Sequence, residues 1–240
     1  GSGIMLEFMQ QLINGFSLGS IYAVLALGLA MVYSTLGILN FAYGELITIV
    51  GYTMYFATQA GAPFLLAAGL GITFAAIASL LMQLALFRPL RGASFVTLLF
   101  ASFALSQALQ GVFRQAISPR ARGIAVPEIF STFVTIGDIR IGFLTIATLI
   151  IALTSMGILA VFMRYSRSGL QMRAAAIDLT TTRLMGVRAN RVILGAFAIS
   201  GILAGIAGVL WMARTTQVTP TSGFTPILIA FIAVVLGGLG

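Results

Sequence analysis

Lysine, histidine and cysteine are all absent from this 240-residue chain, and only five of its side chains are acidic. Each absence removes a class of chemistry. Without Cys or His there is no thiolate nucleophile, no imidazole base and no ordinary zinc site. Without Lys there is no Walker A phosphate loop and no Schiff base. Any energy from nucleotide hydrolysis therefore has to come from another chain. The expectation is a protein that is not an enzyme and carries no cofactor or metal of its own. Zero cysteine also means no disulfides, so the redox compartment cannot be read from it.

What the chain does contain is apolar. Hydrophobic residues make up 60% of it and charged residues 8%, and the mean hydropathy of +1.10 lies outside the soluble range. This composition belongs to an integral membrane protein. A crossing needs about 20 mostly apolar residues, and such runs occupy 16–39, 46–60, 64–87, 95–113, 143–163, 192–213 and 227 onward. The predicted fold is an all-α polytopic transmembrane helical bundle with about seven spans, forming a single domain over residues 1–240. Residues 1–4 read as an appended remnant before a native start at Met5, and no basic region there suggests a cleavable signal. The run from Ile227 reaches Gly240 before it is long enough to cross, so the chain is expected to stop inside its seventh helix.

All thirteen basic residues are arginines, and the net charge is +8. Arginines at the ends of apolar runs are a topology signal, so nucleic-acid binding is not expected. Six of them lie in the segment 164–191, and Arg88 and Arg91 share its side if 95–113 and 143–163 are single crossings. That side holds eight arginines against one acid, Asp178. The other holds Arg114, Arg120, Arg122, Arg140 and Arg214 with Glu128 and Asp138. The positive-inside rule places 164–191 in the cytoplasm. Segment 117–142 then lies outside, where Pro119 and Pro127 break helix and two β-rich runs flank Gly137-Asp138 as a candidate hairpin. Thr215, Thr216, Thr219, Thr221 and Ser222 read as a polar outer loop. Gly15 with Gly19, and Gly201 with Gly205 and Gly208, offer small faces for close helix packing.

Two stretches are candidates for function. In 164–191, Ser166 or Ser168 can cap a helix whose apolar positions Leu170, Ala174, Ile177, Thr181 and Leu184 recur at steps of four and three. Gln171, Arg173, Asp178 and Thr182 occupy its other faces, and Gly186 is a plausible stop. Such a helix either lies in the headgroup layer, its arginines only setting topology, or acts as a rigid lever seated in a groove of a soluble motor subunit. Asp178 favours the lever, since an acid is unhelpful against anionic lipid. The second stretch is Asn40 to Glu45, where polar residues and Gly44 interrupt apolar sequence. It is either a cytoplasmic turn or a discontinuous helix beside a solute path, and the side of the N-terminus depends on which. Glu45 at depth would cost about 2.5 to 3.5 kcal/mol on insertion scales and would need a partner or a role.

Arg173-Ala174-Ala175-Ala176-Ile177-Asp178, followed by Leu184-Met185-Gly186-Val187 and a return to apolar sequence at Val192, resembles the cytoplasmic coupling loop of ABC importer permeases. More narrowly it resembles the permease family for branched-chain amino acids. The stretch from Asn14-Gly15-Phe16-Ser17 to Leu27-Gly28 is similar to that family's first helix, and Leu39-Asn40-Phe41-Ala42-Tyr43-Gly44-Glu45 to its asparagine, alanine and glycine signature. The likeness covers nearly the whole chain. Many relatives carry His where this chain has Tyr43, and members of the family end with an eighth helix absent here.

The resemblance implies the membrane subunit of an ATP-driven importer in a bacterial-type inner membrane. Its expected partners are a second homologous permease subunit, two ATP-binding subunits that hold ATP and Mg, an extracytoplasmic solute-binding protein and membrane lipid. Arg173, Asp178, Arg183 and Gly186 would sit at the ATPase contact, and Asn40, Tyr43, Gly44 and Glu45 at the translocation path or broken helix. The cargo would be branched-chain or similar hydrophobic amino acids, with urea, amides or aromatic acids as the alternatives within the same family. An ion-gradient-driven secondary transporter is the rival class. It would need intramembrane acids or histidines for coupling, and only Glu45 qualifies.

Overall fold

Apolar runs without internal proline form long helices because only a helix satisfies its own backbone in lipid. In the computed structural model, which describes residues 1–237, α1 spans Ser2–Leu36, α2 Glu45–Gln59, α3 Phe64–Met82, α4 Phe95–Ala116 and α5 Phe143–Tyr165. They are followed by α6 (Arg167–Ile177), α7 (Leu179–Leu184), α8 (Ala189–Thr215) and α9 (Phe224–Leu236). A π-turn extends α3 to Phe87. Among the described residues, five helices are long and apolar enough to cross a membrane: α1, α3 with its extension, α4, α5 and α8. The all-α polytopic bundle is thus as expected. The run at 46–60 forms α2, of 15 residues, which is shorter than a crossing. The run from 227 falls in α9, and its last residues, 238–240, lie outside the described residues. The first helix, by contrast, starts well before residue 16 and has 35 residues, about 52 Å of helix.

Contacts between loops fix which ends share a side. The Arg91 guanidinium donates to Asn190 Oδ1 at 2.7 Å, which joins the α3–α4 turn to the start of α8. At the other end β1 (Arg122–Gly123) pairs antiparallel with β4 (Gln217–Val218). The expected hairpin is present as β2 (Phe133–Ile136) and β3 (Ile139–Gly142), with Phe133 opposite Gly142 and Gly137 at φ 61° in the turn. Gln10 Nε2 donates to Arg140 O at 3.1 Å, so the start of α1 lies at the same end as this hairpin. Leu36 consequently ends α1 toward the arginine-rich end.

α8 is the centre of the bundle and packs against α1, α2 and α3. Its small residues make that possible. A side chain at Gly201 would meet Ala76 and Ser79, one at Gly205 would meet Ile72, and one at Gly208 would meet Val50. Ser79 Oγ also donates to Phe197 O at 2.7 Å, a cross-helix bond made in a dry interior. The expected face at Gly15 and Gly19 makes no such close approach, since among the described residues nothing lies within 4 Å of a Cβ placed on either one.

Candidate functional site

The chain turns back at Gly37, whose φ of 70° ends α1 in the left-handed region that glycine tolerates. Asn40 then caps a short 3-10 turn, Phe41–Gly44, with its Oδ1 accepting from the Ala42 amide at 2.9 Å. This turn does not sit at the membrane surface. Phe41 N donates to Ser102 Oγ at 3.0 Å, and Tyr43 is buried against Gly28, well inside α1. Glu45, the first residue of α2, reaches the middle of α4, where its Oε1 accepts from Ser106 Oγ at 2.8 Å and Gln110 Nε2 at 2.9 Å. Asn40 to Glu45 is therefore a break inside the bundle and not a cytoplasmic turn. The acid is 3% exposed, and the Ser106 and Gln110 donors offset its desolvation. Its Oε2 has no protein partner among the described residues.

The start of a second helix meets the first break. Beyond β4 the chain dips inward, and Gly223, which precedes α9, donates its amide to Thr48 Oγ1 at 3.2 Å. Gly223 and Gly44 touch backbone to backbone: a Cβ on Gly44 would lie 2.7 Å from Gly223 O, and one on Gly223 would overlap Gly44 O. Glycine is required at both by this close approach. From the meeting point α2 runs outward to Tyr55, which lies under Arg122, while α9 runs toward the arginine-rich side, where Ala233 and Val234 face Tyr33 and Ser34. Two helix N-termini thus converge inside the bundle, each bringing partial positive charge, with their first amides already held: Glu45 N donates to Ala42 O and Gly223 N to Thr48 Oγ1. Glu45 in the first turn of α2 balances one of them.

The sequence singled out Asn40, Tyr43, Gly44 and Glu45, and the fold gives each a different neighbour: Met82 for Asn40, Gly28 for Tyr43, Gly223 for Gly44, and Ser106 with Gln110 for Glu45. Ser102, Ser106, Gln110 and Gly223 went unnoticed. The first three recur at steps of four along an otherwise apolar run, the mark of one polar stripe on α4. For Gly223 no sequence signal marked the contact, because its partner Gly44 lies 179 residues away in the chain. The polar outer loop at 215–222 is correspondingly more than a loop, because its second half leads into the bundle.

In segment 164–191, Ser166 does cap α6, accepting from Gly169 N at 2.8 Å, and Gly186 does end the helical stretch with φ 90°. The single helix expected through Leu184 is split at Asp178. Asp178 has extended backbone and caps α7, accepting from Thr181 N at 3.1 Å and Thr181 Oγ1 at 2.6 Å. These bonds hold its carboxyl below the ordinary value. The acid is therefore a local cap at the break between the two helices, and it stays exposed at the surface. Met172, Ala175 and Thr182 are buried, whereas Leu170, Ile177, Leu184 and Met185 point out, the last three with more than 80% of their surface exposed. The large apolar side chains of this segment thus face away from the bundle. Arg173 Nη2 donates to Arg164 O at 3.3 Å and ties α6 to the end of α5. Arg183 faces a different place, a cavity it shares with Arg88 and Arg91.

The family described as branched-chain amino acid transport system, permease component, matches residues 11–240. The chain is 33% identical over 249 residues to the high-affinity branched-chain amino acid transport system permease protein LivH of Escherichia coli, covering 98% of this chain and 80% of that protein. It is 32% identical over 248 residues to the corresponding permease protein BraD of Pseudomonas aeruginosa, with the same coverage. A shorter stretch, 32% of the chain, is 34% identical over 76 residues to the ribose import permease protein RbsC of Escherichia coli. No solved structure is a significant match.

Proposed function

The chain belongs to the family of permease components of branched-chain amino acid transport systems, and from that premise we propose that it forms half of a translocation path for branched-chain or similar hydrophobic amino acids. The observation that carries the reading is the match across 98% of the chain to permeases named for that cargo. A second homologous permease would complete the path. Two ATP-binding subunits on the cytoplasmic side would hold ATP and Mg, and an extracytoplasmic binding protein would deliver the solute. The membrane is the inner membrane of a bacterial-type cell.

On this reading the paired breaks at Gly44 and Gly223 line the path. Half-helices that meet end to end can tilt separately, whereas a continuous helix moves as one rod. Ile177, Leu184 and Met185 form the knob that an ATP-binding subunit grips, since three large, highly exposed apolar side chains on one short segment suit a protein groove. Arg173, Asp178 and Gly186 act behind them by holding α6, α7 and the following turn in shape. Arg183 stands apart from the knob.

The test is co-expression with ATP-binding subunits of branched-chain amino acid importers, followed by capture and uptake in proteoliposomes supplied with a binding protein. We expect stable capture and leucine uptake that needs ATP. Ile177→Asp with Leu184→Asp should insert normally and lose capture at least about tenfold, the scale of one or two interface anchors. Flux driven by an ion gradient through this chain alone would overturn the importer reading. Full capture by the double variant would overturn the knob.

A further inference from the structure

On the cytoplasmic side, between the α3–α4 turn and the start of α8, lies a cavity of about 560 Å³. Five arginines line it: Arg88, Arg91, Arg183, Arg188 and Arg191. No acidic side chain joins them. The one acid in the neighbouring segment, Asp178, is turned to Thr181. The one protein acceptor among the lining side chains is neutral, the Asn190 carbonyl oxygen that Arg91 holds at 2.7 Å. Five cations from separate elements are thus held around open space, an arrangement that like charges resist. Arg91 registers this: burial, then the charges of Arg88 and Arg183, lower its value from the usual one.

The depth of the cavity narrows its occupant. Arg88 directly follows the apolar stretch Phe64–Phe87, and Arg191 lies in the first turn of Ala189–Thr215, so both stand where a span leaves the hydrocarbon. The start of α8 adds unpaired backbone N–H groups and the positive end of a 27-residue helix. Leu194, one turn further into the span, supplies an apolar wall below the charges. Guanidinium forks match phosphate oxygens. A phosphate with an apolar tail uses every part of this lining, and a soluble phosphate leaves Leu194 without a role.

We propose that this cavity binds the phosphate headgroup of an anionic phospholipid from the cytoplasmic leaflet, clamping the α3–α4 turn to the base of α8. Basic pockets between membrane helices on that side suit such headgroups. The clamp would join the central helix to the last part of the segment that follows α7.

The experiment is native mass spectrometry of the full chain in a zwitterionic detergent, titrated with phosphatidylglycerol, phosphatidylcholine or inorganic phosphate. Phosphatidylglycerol should be retained about tenfold better than phosphatidylcholine, and Arg88→Gln with Arg191→Gln should lose about tenfold of that retention. Arg164→Gln with Arg167→Gln, on the same side but outside the cavity, should keep it. If the first pair does not yield folded chain, Arg188→Gln alone should show the same effect at two- to threefold. Equal loss in both pairs would mean diffuse surface charge and overturn the site. So would equal retention of the two lipids. Inorganic phosphate that binds as tightly and displaces the lipid would make it a soluble-phosphate site instead. Unchanged lipid retention with lost capture of the ATP-binding subunits would make the arginines a protein contact, which also overturns the proposal.

Discussion

Tyr43 and Gly28 form a fitted pair in the interior. Tyr43 is fully buried and its hydroxyl has no hydrogen-bond partner, while a Cβ on Gly28 would run into that same hydroxyl and lie 3.3 Å from Leu203 Cβ. The glycine is there for room, since its backbone is ordinary helix. Gly28→Ala should destabilise the purified chain by about 1 to 3 kcal/mol, the usual range for overpacking. Tyr43→Phe should be close to neutral or slightly stabilising, because it removes a buried hydroxyl that bonds to nothing. The double variant should recover most of the loss, measured by thermal unfolding in detergent. Additive losses would show that the hydroxyl is not what fills the notch.

At the scale of the element, the break between α6 and α7 decides how the cytoplasmic segment works. An unbroken helix would transmit force along one axis. Two short helices pinned by Ser166, Asp178 and Gly186 instead present a bent, apolar outer face. If Asp178 acts as a cap, Asp178→Asn should keep most ATP-driven uptake, because Asn caps as well as Asp, and Asp178→Ala should lose much of it. Equal loss in both would mean that the charge itself meets a partner. The cap is also pH-dependent in a definite sense. Its folded-state value lies below the unfolded one, so its contribution is complete above the unfolded value and disappears as pH falls through the folded value. Near neutral pH it is fully present.

Across the whole molecule, the orientation rests on where loops meet. The bond from Gln10 to Arg140 and that from Arg91 to Asn190 put the start of α1 and the arginine-rich segment on opposite sides. A chain without cysteine allows a clean test, since any introduced thiol is the only one. Phe8→Cys and Asp138→Cys should react with an impermeant maleimide added outside intact cells. Arg167→Cys should react only after permeabilisation. Labelling of Phe8→Cys from the cytoplasmic side alone would overturn the topology. The same loop contacts explain the odd parity of the chain. The break at Asn40 to Glu45 lets the path rise from the cytoplasmic end of α1 to the outer end of α2 without a second full-length helix.

The sequence by itself determined the solvent this protein lives in, because an apolar run long enough to cross can satisfy its backbone only as a helix. It also determined the arginine-rich side, the glycines of α8, the hairpin and the importance of Asn40 to Glu45, since each of these is a local preference or a spacing along one element. Tertiary structure decided what a linear pattern cannot carry. The partners of Glu45 come from the middle of α4, far away in sequence. Gly44 acquires its meaning from Gly223, and Asp178 turned out to serve its own backbone. The direction of the apolar stripe on α6 and α7 was likewise set by packing, because helical periodicity fixes which residues share a face but not whether that face meets the protein or looks away from it.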